Sequence, residues 1–292
     1  MLTHLDHVIV AVRELVPATR TLARLLGRAP SWKGEHPALG TENALFRLSN
    51  TYVELLAPAG EAGLAAWLRE RLAREGEGLL GLAFRTPDAD RCHRELRDRG
   101  LEPGAPQDGL GRDVESGAWR RWRSVLLPPS STRGLLLFAI EHRSPDEALP
   151  HSPALGDERA CVSGLDHVVV LTSDVAAGRA LYGEGLGLRL ALERTFEERK
   201  LRLLFFRVGG VTVELAHPLG APPSDGDRFM GLSFQVPDAG AARERVAEAG
   251  FDVSPVRPGM KPGTRVCSVR GKPLGVATLL IEPATRPAGT VR

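Results

Sequence analysis

Lysine is scarce in this 292-residue chain: only Lys33, Lys200, Lys261 and Lys272 stand among 38 basic residues. The arginines are scattered and nowhere form the basic block that nucleic acid requires, and the net charge is only +2, so nucleic acid is not the expected partner. Cysteine is equally sparse. Cys92, Cys161 and Cys267 are odd in number, widely spaced and in no CxxC pair, which excludes a disulfide framework and a structural zinc site and fits a reducing cytosol. Long apolar runs are missing. The longest, LLLFAI at 135–140, is far too short to cross a bilayer, and no cationic stretch leads an apolar run before Asp6. A cytoplasmic, soluble protein without a membrane partner is expected. Neither a Gly-rich phosphate loop, a GxSxG elbow nor an HExxH pair is present.

What the chain does have is repetition. LDHVIVAV from Leu5 returns as LDHVVVLT from Leu165, and His7 and His167 are each followed 47 residues later by a glutamate, Glu54 in TYVELLAP and Glu214 in VTVELAHP. GLAFRTPDAD from Gly81 and GLSFQVPDAG from Gly231 each lead into a helical stretch ending at Gly100 or Gly250, the pattern of strand, turn, helix and glycine cap. The closing strands carry Glu141 and Glu282. Alternating apolar runs inside each duplicate divide it again, giving four half-units at 1–60, 78–142, 163–218 and 228–284. The length fits two domains of about 100–150 residues. They are expected at 1–142 and 163–292, joined by the Pro-rich stretch 143–162, with an extra amphipathic helix at 61–76.

Paired strand–helix–three-strand halves, the LDHVxV opening and the VEL strand resemble the vicinal oxygen chelate superfamily, which includes glyoxalase I, extradiol dioxygenases and fosfomycin and bleomycin resistance proteins. EHPALGTENALFRLSNTYVELLAP further resembles proteins with glyoxalase-like domains. The resemblance covers nearly the whole chain. It implies an α+β fold of four tandem βαβββ half-units paired into two cup-shaped mixed-sheet domains, each able to hold a divalent metal and a small organic ligand.

Period-two alternation places Leu5, His7 and Ile9 on one strand face and Tyr52, Glu54 and Leu56 on one face of another. A carboxylate on an apolar surface needs a partner, and the imidazole of the first strand is the obvious one. The resemblance makes His7 with Glu54, and His167 with Glu214, the first two metal ligands of each cup. The third position is glycine, Gly81 or Gly231, and the fourth aligns with Phe138 or Leu279, with Glu141 and Glu282 three residues further on. An extradiol site would need two histidines and a carboxylate, which Gly231 denies it. Three readings stay open: iron, manganese, nickel or zinc on an incomplete set, a metal-free acid–base couple, or a structural hydrogen-bonded pair. Gly231→His is expected to tighten metal binding without creating glyoxalase activity.

Trp119, Arg121 and Arg123 share a strand face, and Arg257, Lys261 and Arg265 lie in a Pro/Gly loop. Either set can hold a carboxylate or phosphate of a substrate, or can be solvated surface. His4, His93, His142 and His151 read as surface residues, and His36 and His217 as loop residues near a cup edge. The expected activity is lyase, isomerase or oxygenase chemistry on a small oxygenated molecule; the rival is a non-catalytic binding or resistance module. A homodimer is compatible with the sequence.

Overall fold

A computed structural model describes residues 1–284 except 62 and 223, so the last eight residues of the unit expected over 163–292 lie outside the described residues. Each half-unit forms its βαβββ set. The first contains β1 (His4–Ala11), α1 (Leu15–Leu26), β2 (Trp32–His36), β3 (Thr41–Arg47) and β4 (Tyr52–Pro58). The expected joining helix, α2 (Leu64–Glu75), leads to β5 (Gly78–Arg85), α3 (Ala89–Asp98), β6 (Gln107–Asp113), β7 (Trp119–Leu126) and β8 (Leu136–His142). The third half-unit has β9 (Gly164–Leu171), α4 (Val175–Arg179), β10 (Arg189–Phe196), β11 (Leu201–Val208) and β12 (Val211–Pro218). The fourth has β13 (Arg228–Gln235), α5 (Ala239–Glu248), β14 (Arg257–Pro258), β15 (Arg265–Val269) and β16 (Ala277–Glu282). No described helix is long and apolar enough to cross a membrane.

The repeated PDA motifs explain how the helices of the second and fourth half-units begin. Asp88 accepts from the Arg91 amide and Asp238 from the Ala241 amide, satisfying N–H groups that the helix itself leaves open. Gly27 ends α1 at φ 71°, a left-handed turn that a Cβ would oppose.

The two sheets differ at their ends. In the first, β2 pairs with β6 through Gly34–Asp113 and Glu35–Arg112 and closes an eight-stranded barrel in the order β1-β4-β3-β2-β6-β7-β8-β5. In the second, β10 and β14 end an open eight-stranded sheet. The faces turned away from the cups share one core, in which Leu5, Val8 and Val10 of β1 cluster with Val168 and Val170 of β9. Each buried Leu or Val there stabilises the fold by about 1.5–3 kcal/mol.

One register detail departs from simple alternation. Against β5, Leu5 pairs with Phe84 and His7 with Ala83, so Asp6 is an extra residue in the ladder. Leu5 therefore falls into the shared core, while Ile9 lies beside His7 in the cup, contrary to the single face expected for all three. β9 repeats the bulge at Asp166, with Leu165 and His167 paired to Phe234 and Ser233. The stretch 143–162 is also less loose than its prolines suggest: Leu149, Ser152, Cys161 and Val162 are buried, and Arg28 donates to the carbonyls of Ser152 and Val162.

Candidate functional site in the first cup

The barrel encloses a cavity of about 420 Å³. Its walls are mainly apolar, with Ile9, Leu56, Leu80 and Phe138 packed inside and Trp67 of α2 half-exposed beside them. His7 and Glu54 project into this cavity, each less than a tenth exposed. β1 and β4 are parallel neighbours, and this pairing brings His7 Nε2 to 3.4 Å from Glu54 Oε2. The imidazole stacks on Tyr52, with ring centroids 4.4 Å apart, and meets the edge of Phe138 at 5.7 Å.

Both partners are held from behind. Asp6 Oδ1 lies 2.8 Å from His7 Nδ1, and its other oxygen lies 2.9 Å from His142 Nε2. Burial alone would push the Asp6 carboxyl up, but the hydrogen bonds from His142 and His7 outweigh it and hold the group well below the usual carboxylate range. An ionised Asp6 can only accept, which assigns the hydrogen on His7 to Nδ1 and leaves Nε2 facing Glu54. Nε2 and Oε2 thus stand within ion-pair reach of each other. Asn43 donates to Glu54 Oε1 at 2.7 Å, which leaves Oε2 for His7. His36 Nδ1 is 3.0 Å from Thr41 Oγ1, and burial keeps its ring below the usual histidine range. Burial likewise pushes the Tyr52 phenol well above its ordinary value, so it stays protonated.

The second copy is weaker as a couple. His167 Nε2 lies 3.8 Å from Glu214 Oε2 and is already engaged by Ser233 Oγ at 2.7 Å. Asp166 holds its Nδ1 at 2.8 Å, repeating the clamp without a second histidine. Ser233 occupies the ladder position opposite His167 where the first sheet has Ala83 opposite His7, so among the described residues no hydroxyl at that position competes for Nε2 in the first cup.

Other sequence candidates lie elsewhere. Glu141 accepts from the Ala89 amide at 3.0 Å, and Glu282 from the Ala239 amide at 2.8 Å and from Arg265. Both carboxylates thus serve the N-termini of α3 and α5. Arg123 pairs with Asp90 and Arg121 is exposed. It is Arg120, on the opposite strand face, that enters the cup. Arg257 and Lys261 are exposed on the second sheet. His217 reaches the Thr172 carbonyl, and His36 ends β2 as a buried cup residue. His142 is no surface residue, since its side chain is only 9% exposed against Asp6. Asp6, Asn43, Arg120 and His142 join the site only through the fold. The recurrence of Asp before His in both LDH motifs was the available signal for Asp6.

The superfamily's divalent metal does not fit this donor set. His7 and Glu54 offer two donors, Gly81 offers none, and Phe138 fills the fourth place. A Cβ at Gly81 would stand 2.8 Å from the Leu136 carbonyl oxygen, and one at Gly231 would stand 2.3 Å from that of Ala277. The expected gain in metal binding from Gly231→His therefore meets a backbone obstacle. Among the described residues no three His, Cys, Asp or Glu side chains group as a metal site.

Comparison with known proteins agrees with the architecture. Residues 5–159 match the model of a "Glyoxalase-like domain", and residues 164–272 match that of the "Glyoxalase/Bleomycin resistance protein/Dioxygenase superfamily". The uncharacterized protein YqjC of Bacillus subtilis is 37% identical over 57 residues, 20% of this chain and 41% of its own length. Ethylmalonyl-CoA/methylmalonyl-CoA epimerase of Cereibacter sphaeroides is 27% identical over 104 residues, 32% of this chain and 75% of that enzyme. A mutant of 4-hydroxymandelate synthase from Streptomyces coelicolor superposes with a TM-score of 0.72, covering 99% of this chain and 95% of that one, at 17% identity. A hypothetical protein from Staphylococcus aureus does so with a TM-score of 0.63, covering 94% and 98%, at 11% identity. At these identities both structures show the fold alone.

Proposed function

Because the chain belongs to the vicinal oxygen chelate superfamily, with a glyoxalase-like domain over residues 5–159, we propose that it is an enzyme whose first cup binds a small oxygenated organic molecule. In this reading the His7–Glu54 couple moves a proton on that molecule, in an isomerase or lyase type of reaction. The observation that carries it is the 3.4 Å approach of Nε2 and Oε2 inside a mainly apolar cavity.

Glu54 Oε2 takes a proton from a carbon next to a carbonyl, and His7 Nε2–H supplies one to the oxygen or carbon that gains charge. The couple as a whole neither gains nor loses a proton. Asp6 fixes the imidazole's tautomer and offsets its charge, and Asn43 fixes the carboxylate. Positioned acid–base groups of this kind contribute about 10²–10⁴-fold each. The mainly apolar walls lower the polarity around the couple, which strengthens charge interactions there. A ring-cleaving oxygenase site is not supported: His7, His36 and His142 all line the cavity with Glu54, but among the described residues no two histidines group with a carboxylate as the metal site such chemistry requires.

The test is hydrogen–deuterium exchange into a panel of enolisable ketones and 2-oxo acids in D2O, followed by NMR, with protein dialysed against EDTA. Exchange that survives chelation is expected. Exchange that returns only on adding iron, manganese, nickel or zinc would replace this reading by a metal one, and saturable binding with no exchange would favour the non-catalytic alternative.

A further inference from the structure

Arg120 sits on β7 with only 8% of its surface exposed. Its guanidinium carbon lies 5.5 Å from the Trp32 ring centre and 5.8 Å from that of Tyr52, and it makes no ion pair with any described carboxylate. Several partly buried arginines, by contrast, are compensated. Arg133 pairs with Asp227, Arg245 donates to the carbonyls of Ala160, Arg24 and Leu25, and Arg28 holds Glu158 and two carbonyls. A buried cation without a counter-anion is costly, and two aromatic faces offset only part of that cost.

The missing anion has a place. The 420 Å³ apolar cavity reaches Arg120 from one side, and a second, polar cavity of about 360 Å³, with Arg47 and Arg85 in its lining, reaches it from the other. Packing beside Trp32 and Tyr52, whose phenol oxygen accepts from the guanidinium, leaves the guanidinium's remaining in-plane N–H groups as its means of recognition. A planar carboxylate matches that fork with two parallel hydrogen bonds.

We propose that Arg120 is the carboxylate anchor of the first cup, and that its ligand is a monocarboxylate with an apolar, ring-sized body. The body faces Trp122, Leu56 and Leu80 in the larger cavity. Tyr52 packs against both Arg120 and His7, so a carboxylate on Arg120 brings the neighbouring carbon towards the His7–Glu54 couple. One guanidinium without a paired carboxylate suits a single negative charge better than a dianionic phosphate. The inference rests on the first cup being the ligand site.

The experiment is titration of intrinsic tryptophan fluorescence, with Trp32 and Trp122 as reporters, by phenylacetate, 2-naphthylacetate, phenylacetamide and inorganic phosphate. The wild type is expected to bind the acids at least tenfold more tightly than the neutral amide. Arg120→Met is expected to lose that preference while keeping the amide's affinity, and Arg120→Lys, which keeps the charge without the fork, to retain part of it. Equal binding of acid and amide, an unchanged preference in Arg120→Met, tighter binding of phosphate than of the acids, or no binding at millimolar concentration would each overturn the assignment. Binding needs no proton transfer. Acid preference without deuterium exchange would therefore overturn only the acid–base reading, and exchange without acid preference only the role of Arg120.

Discussion

Replacing Asp6 by asparagine removes the one charge that holds both His7 and His142. The carboxylate is 5% exposed and its two oxygens lie 2.8 and 2.9 Å from the imidazole nitrogens. Charge-assisted bonds of this type contribute about 1.5–3 kcal/mol each, and the asparagine amide would set an N–H donor against one imidazole N–H. A loss of about 3–5 kcal/mol is expected, the range seen when one partner of a buried charged pair is removed. With a urea slope of about 3 kcal/mol/M, the unfolding midpoint should fall by about 1–1.7 M. Asp166→Asn is the internal control. Its side chain is 31% exposed and engages one imidazole and Gln235, so its cost should stay near the value of about 0–1 kcal/mol typical of solvated pairs. Because the folded-state carboxyl of Asp6 lies below its unfolded value, its contribution is complete above the ordinary carboxylate range and fades as the pH falls. The gap between wild type and Asp6→Asn should hold steady from neutral pH to about 5 and narrow below about 4. An Asp6→Asn protein within 1 kcal/mol of wild type, an equal loss in Asp166→Asn, or a gap unchanged at pH 3 would refute the clamp; these limits follow from the same hydrogen-bond range.

Two further outcomes follow from burial and backbone contact. All three cysteines are buried, and desolvation pushes the Cys92 thiol up to about 11 and raises that of Cys267, so Ellman's reagent at pH 8 should label the native protein slowly and all three thiols in guanidinium. Fast labelling of Cys92 in the native state would contradict its placement. Gly231→His should lower the melting temperature and leave zinc affinity unchanged, because its Cβ would stand 2.3 Å from the Ala277 oxygen; tighter zinc binding by calorimetry would show that the strand can move aside.

The internal repeat made the fold legible. Equal His-to-Glu spacing, paired PDA helix starts and matched closing strands define four half-units whose strands and helices are all present. What stayed hidden depended on register and on distant partners. Period-two alternation groups Arg121 and Arg123 on one strand face, open to either a ligand or solvent, whereas it is Arg120 that turns inward. The bulge at Asp6 breaks the alternation that grouped Leu5 with His7. His142 carries no local mark of burial, since its partner Asp6 is 136 residues away. Closure of only the first sheet turns on the short β2–β6 pairing, which no periodicity within either strand announces, and that closure separates a barrel from an open sheet.

The central claim, that the first cup alone carries proton-transfer chemistry, is tested most directly by comparing Glu54→Gln with Glu214→Gln in the deuterium-exchange assay after chelation. The two residues occupy equivalent strands, and their carboxylates lie 3.4 and 3.8 Å from His7 and His167. Glu54→Gln should reduce exchange by about 10²–10⁴-fold, while Glu214→Gln leaves it at the wild-type rate. Loss of exchange in Glu214→Gln with full activity in Glu54→Gln would place the chemistry in the open sheet and contradict the account.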